Sequence, residues 1–145
     1  MDYAYIIIPL IVLIASQAVK LLTDGIKGNF DIRNLATFYG GMPSSHTAFA
    51  VSIATLVGLR TGFESAVFGL AMVFTLLIMR DAVALRNVIG QHAKMFNRFR
   101  GLIPSNQRQD LPILREQMGH SIYEVLAGLI FGAALTYLLT LLPLA

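Results

Sequence analysis

The sequence predicts an all-α integral membrane protein, a bundle of four transmembrane helices in a single domain over residues 1–145. Composition is the first reason. Of 145 residues 56% are hydrophobic and 13% charged, against about 25% charged in a soluble domain. Mean hydropathy is +0.68. The second reason is the grouping of the apolar residues into runs at about 3–22, 44–59, 63–85 and 121–142. A helix needs about 20 residues to cross a ~30 Å hydrocarbon core, and only the second run falls well short. The third is the placement of charge. Lys20, Lys27 and Arg33 lie in or beside the first connection, and Arg80, Arg86, Lys94, Arg98, Arg100, Arg108 and Arg115 in or beside the third. Of the eleven basic residues only Arg60 is left for the other face. The positive-inside rule then puts both connections in the cytoplasm and both termini outside, as in a multi-pass protein of a bacterial inner membrane.

The first run, Tyr3–Leu22, is apolar until Ser16-Gln17 and Lys20, and Pro9 is a kink that a bundle tolerates. No basic region precedes it and no small-residue cleavage site follows, so it reads as a retained span. A polar connection rich in glycine runs from Thr23 to Met42. Gly40-Gly41-Met42-Pro43 interrupts any helix, and Ser44 or Ser45 is placed to cap the next one. The second span is rich in Ala, Ser and Thr, and Ala50 and Ala54 permit close approach of a neighbour. Arg60-Thr61-Gly62 forms a turn, and the third span starts near Phe63. Helix-forming residues continue past Met79 to Arg98, which predicts a cytoplasmic extension of that helix. Gly101–Asn106 is a loop. Asp110 as cap and Pro112 in the first turn predict a short cytoplasmic helix over Leu111–Met118, closed by Gly119. The last span carries Gly128-Leu129-Ile130-Phe131-Gly132, a small-xxx-small packing face.

The ionisable residues fall at one depth. Lys20 ends the first span, His46 opens the second, Arg80, Asp81 and Arg86 end the third, and His120 and Glu124 open the fourth. Charged groups at such depths are costly and point to function. His46 beside the free amides of a helix start suits phosphoryl-transfer chemistry. His120 and Glu124 stand one turn apart, so the carboxylate is in reach of the imidazole and can set its tautomer. Ser121-Ile122-Tyr123-Glu124 also reads as a capping box, which gives Glu124 a purely structural role. Lys20 and Arg86 suit phosphate, as a point charge and a forked donor, although interfacial anchoring is the commoner fate of such residues. Asp81 needs a partner, with Arg80, Arg86 or Lys20 at hand. His92 reads as a surface residue, and Arg98, Arg100, Arg108 and Arg115 suit anionic head groups. With no cysteine, thiolate catalysis and zinc-thiolate sites are excluded. The basic residues follow no nucleic-acid reading motif, so no nucleic-acid partner is expected.

Pro43-Ser44-Ser45-His46 resembles the P-S-G-H motif of the type 2 phosphatidic acid phosphatase superfamily, which also contains vanadium haloperoxidases. Together, Gly41–Ala48, the Asp81…Arg86…Gly90 segment and Gly119–Val125 resemble that superfamily's divergent branch of small bacterial and plastid membrane proteins. The resemblance implies a hydrolase acting on a lipid phosphomonoester or diphosphate without a cofactor. It implies His120 as the nucleophile forming a phosphohistidine, Glu124 as its orienting carboxylate and His46 as general acid. Lys20, Ser44, Ser45, Arg86 and Arg115 would bind the phosphate, and Asp81 would support them. There are departures. Ser45 stands for glycine and Glu124 for aspartate, Leu114 sits where an arginine is expected, and no Arg-Pro follows Lys20 or Lys27 at the family's spacing. Two other readings stay open: a metal-dependent phosphatase using His46, Asp81, His120 and Glu124, all acceptable ligands, and a non-catalytic protein that binds or transports lipid phosphate. The expected partners are a lipid phosphate and the membrane lipids. Four spans, against the superfamily's usual six, leave room for a homodimer to complete the bundle.

Overall fold

Helix α2 (Ser45–Thr61) is the axis of the structure: α1 (Ala4–Gly25), α3 (Ala66–Val83) and α5 (Ile122–Thr140) all pack against it. Residues 3–25, 41–104, 107–108, 110–114, 116 and 120–142 are described by a computed structural model. Among them all regular structure is helical, with α4 (Leu85–Leu102) between α3 and α5.

Composition explains the central place of α2. Its small side chains occur on every face rather than as one stripe, and Ser45, Ala48, Ala50, Ser52, Ala54 and Gly58 are all buried. A helix enclosed on all sides needs small residues, because neighbouring backbones can then approach closely. On α5, Gly128 and Gly132 meet α2 backbone to backbone. A Cβ on Gly128 would lie 2.5 Å from the Ser44 carbonyl oxygen, and one on Gly132 would strike Ala48. The small-xxx-small face is thus the α2–α5 contact. Ala4, Ile8 and Val12 of α1 close the core against Ala48 and Leu56. Hydroxyls add cross-links: Thr75 Oγ1 bonds the Ala50 carbonyl at 3.1 Å, and Thr136 Oγ1 donates to Ser52 Oγ at 2.6 Å.

The outer surfaces are apolar. Ile6, Leu10 and Ile14 on α1, Leu70, Phe74 and Leu77 on α3 and Ile130 and Leu138 on α5 are exposed. Water would oppose so large an apolar surface and lipid would not. Three helical stretches, Ala4–Thr23, Ala66–Leu102 and Ile122–Thr140, are long and apolar enough to cross a membrane.

Several expectations need adjusting. The third helix starts at Ala66 rather than Phe63, because Ser65 caps it by accepting from the Phe68 amide at 3.2 Å. Its extension is a separate helix, α4, after a distortion at Ala84 (φ −94°, ψ −66°). The Ala84 amide still bonds the Arg80 carbonyl at 2.8 Å and its carbonyl the Val88 amide at 3.1 Å, while the Ala82 carbonyl is taken by the His120 amide at 3.0 Å. The short helix over Leu111–Met118 is not formed in the residues described there, 111–114 and 116. Pro112 biases Leu111 away from helical dihedrals. Side chains of α4 then take up the backbone: Arg100 Nε donates to the Leu111 carbonyl at 2.8 Å, and Asn97 brackets Leu114 through its carbonyl at 2.6 Å and its amide at 2.9 Å.

Candidate functional site

Four elements are stitched together at one end of the bundle. The Thr23 hydroxyl, near the end of α1, bonds the Met42 carbonyl at 2.9 Å in the loop before α2. The Ser44 amide donates to the Glu124 carbonyl at 3.0 Å, joining the start of α2 to the first turn of α5. The His120 amide donates to the Ala82 carbonyl at 3.0 Å, setting the residue before the α5 cap against the end of α3. These bonds place the side chains that the sequence pattern singled out.

His46 lies in the first turn of α2 with its ring exposed. It is within electrostatic reach of Arg86, His120, Lys20 and Asp81, groups carried by every other part of the bundle. His120 is enclosed, with 5% of its surface exposed, and its Nδ1 stands 3.9 Å from Glu124 Oε2. That is an electrostatic contact, too long for a hydrogen bond. Glu124 Oε2 accepts from the Ser121 amide at 2.9 Å and Ser121 Oγ from the Glu124 amide at 3.3 Å, so the capping box is formed. Oε1 of the same carboxylate accepts from the Gly41 amide at 3.2 Å. Glu124 therefore caps α5, holds the loop before α2 and faces His120 at once.

Of the three partners open to Asp81, Arg86 is engaged: its Nε donates to Oδ2 at 3.2 Å. Lys20 is partly buried near the end of α1. Ser44 is the N-cap of α2 by position, but its side chain makes no capping bond. Its Oγ lies 3.0 Å from Thr47 Oγ1 and is fully buried. Ser45 Oγ is also buried and has no hydrogen-bond partner among the described residues. Buried hydroxyls are rarely left so. Arg115 and Gly119 lie outside the described residues, as does most of the first connection, including Lys27. Among the described residues no three His, Cys, Asp or Glu side chains are grouped to hold a metal ion. The set His46, Asp81, His120 and Glu124 is thus not assembled as a metal centre, since Glu124 is turned to amide donors and Asp81 to Arg86. Sequence reasoning missed Thr23, Gly41 and Thr47, whose hydroxyls and amide reveal a role only once their partners are in place.

The model of the divergent PAP2 family matches residues 1–135. The chain belongs to the divergent PAP2 family. A relative, the Bacillus subtilis (strain 168) protein described as "Uncharacterized membrane protein YuiD", is 34% identical over 122 residues, covering 73% of this chain and 74% of its own. No solved structure matches. Family membership, this relative and the three apolar helices agree on a membrane location. In this divergent PAP2 protein the first-turn histidine of α2 and the histidine before α5 share one end of the bundle with a lysine and an Asp–Arg pair.

Proposed function

We propose that the protein is a membrane-embedded phosphatase that hydrolyses a phosphomonoester or diphosphate on a lipid. The observation that carries the reading is the position of His46, on which Lys20 of α1, Asp81 of α3, Arg86 of α4 and His120 before α5 converge. Family membership supports the same chemistry. In this scheme a ring nitrogen of His120 attacks phosphorus and the bond to the lipid oxygen breaks. His46 gives its proton to the departing oxygen. Water then attacks the phosphohistidine, gives a proton back to His46 and releases phosphate. Lys20, Arg86 and the amides opening α2 stabilise the equatorial oxygens. Ser45 Oγ, buried without a hydrogen-bond partner among the described residues, is a further donor for a phosphate oxygen. Glu124 holds the His120 ring in a fixed electrostatic field. The protein crosses the bacterial inner membrane four times, α2 being the second crossing and the short one, with both termini outside and the site at the cytoplasmic face.

The enclosure of His120 favours a second reading, binding of lipid phosphate without turnover, because an attacking nitrogen needs access that 5% exposure does not provide. One experiment separates the two. Phosphate release by the detergent-purified protein is measured from phosphatidic acid, phosphatidylglycerol phosphate and polyprenyl diphosphates, with and without chelator, beside His120→Ala. Chelator-resistant release that the variant lacks establishes the histidine mechanism. Lipid-phosphate binding with no release from any substrate establishes the second reading.

A further inference from the structure

Helix α4 leaves the bundle. Among the described residues it meets no helix other than α3, the one before it. Its composition is unlike theirs. Arg86, Lys94, Arg98 and Arg100 give its 18 residues four positive charges, and it carries no Asp or Glu. Charges of that number exclude it as a further crossing, because each is costly inside a bilayer. Helix α3 supplies the crossing with its own 18 residues, about 27 Å at 1.5 Å per residue against a hydrocarbon core of ~30 Å. Helix α4 therefore begins at the membrane surface. At the same depth the helix is broken. The Ala82 carbonyl accepts from the His120 amide at 3.0 Å, and Ala84 departs from helical dihedrals (φ −94°, ψ −66°). That junction is where α4 can turn away from the α3 axis.

The sides of α4 differ in kind. On a helical wheel Leu85, Val88, Ile89, Met95, Phe99 and Leu102 share one side, and all six are exposed. Lys94 and Arg98, also exposed, lie off that side. A third sector is covered by the returning segment: Gly90 and Ala93 are buried there, and Asn97 and Arg100 hold Leu114 and Leu111. His92 is the polar residue within the apolar side. A helix with one apolar side and a basic remainder is suited to the boundary layer of a bilayer. Charge selects the occupant. A second α4 laid against the first would bring four more cations and no carboxylate, whereas acidic head groups offer the missing negative charge.

We infer that α4 is an amphipathic interfacial helix lying on an anionic membrane surface at the site's end of the bundle. Its apolar side enters the acyl boundary, and Lys94 and Arg98 turn to acidic lipid head groups. Arg86, in its first turn, belongs to the group around His46, so the surface that holds α4 also steadies a member of that group. The inference rests on α3 crossing the membrane and is independent of any catalytic step.

The chain has no tryptophan, so a single one reports cleanly. Phe99→Trp on the apolar side and Asn87→Trp off it are placed, one copy per disc, in lipid nanodiscs. The discs hold phosphatidylcholine alone or with an equal part of phosphatidylglycerol, and chain-brominated lipid is the quencher. In the anionic discs Phe99→Trp should be quenched at least severalfold more than Asn87→Trp. An upright α4 gives the reverse order, since Asn87 is closer to the membrane end of the helix. Quenching of Phe99→Trp should be weaker in phosphatidylcholine alone, and Lys94→Gln with Arg98→Gln should lower it in anionic discs to that level. Met95→Trp, on the same side, repeats the measurement where Phe99→Trp does not fold. Stronger quenching at Asn87→Trp, or equal quenching of Phe99→Trp in both lipids, overturns the inference. So does a Phe99→Trp that is unquenched in singly loaded discs and shifts its emission only in doubly loaded ones, which gives the side to a second copy.

Discussion

Glu124 reaches back across 83 residues of sequence to accept a hydrogen bond from the Gly41 amide at 3.2 Å. The same carboxylate closes the α5 capping box, so one side chain fixes both the start of α5 and the loop that delivers His46. Glu124→Ala removes two charge-assisted bonds, each worth on the order of 1.5–3 kcal/mol when its partner is left unsatisfied. It should lower the thermal midpoint in detergent clearly, and Glu124→Gln by less, because a glutamine can still complete the box. Equal loss from both would mean that charge, not hydrogen bonding, is what matters.

Gly132 lies against the backbone of Ala48 with no room for a Cβ, whereas Gly69 has open space around it. Gly132→Ala should cost about 1–3 kcal/mol through overpacking. Gly69→Ala should be neutral or stabilising by up to about 1 kcal/mol, from helix propensity. Thermal midpoints of the two variants check the contrast directly.

Thr136 and Ser52 share a buried hydrogen bond between α5 and α2 at 2.6 Å. Thr136→Val and Ser52→Ala should each destabilise by about 1 kcal/mol. The double variant should lose less than their sum, since either change already breaks the bond. Additive losses would show that the hydroxyls act separately.

Arg86 is engaged with Asp81 through Nε, at the edge of the group that surrounds His46. On the phosphatase reading Arg86→Lys keeps the charge but loses the fork, and kcat/KM should fall on the order of tenfold or more. Asp81→Asn removes the carboxylate charge beside the guanidinium and should change KM more than kcat. Steady-state kinetics on whichever lipid phosphate is turned over measures both.

The all-helical class of the protein and the order of its apolar helices were legible in the sequence. Hydropathy, proline, glycine and capping residues act over one or two turns, and so do the rules that read them. The capping box at Ser121–Glu124 and the small-xxx-small face of α5 were local patterns of this kind. The segment after Asp110 was not: Pro112 fits the first turn of a helix equally well, and the bonds from Asn97 and Arg100 that hold it extended come from residues distant in the chain.

Packing alone decided the rest. Helix α2 is too short to stand out by hydropathy, yet it is the axis, because its small residues let three neighbours close around it. Gly128 and Gly132 bring the α5 backbone onto Ser44 and Ala48, and only that approach lets Glu124 find the Gly41 amide. The same closure turns Ser44 Oγ toward Thr47, pairs Asp81 with Arg86 and leaves no grouped metal ligands among the described residues. Sequence determines which groups come to one end of the bundle, since position along a helix sets depth. Which atom meets which depends on distances between helices, and those follow from the fit of side chains that no local pattern encodes.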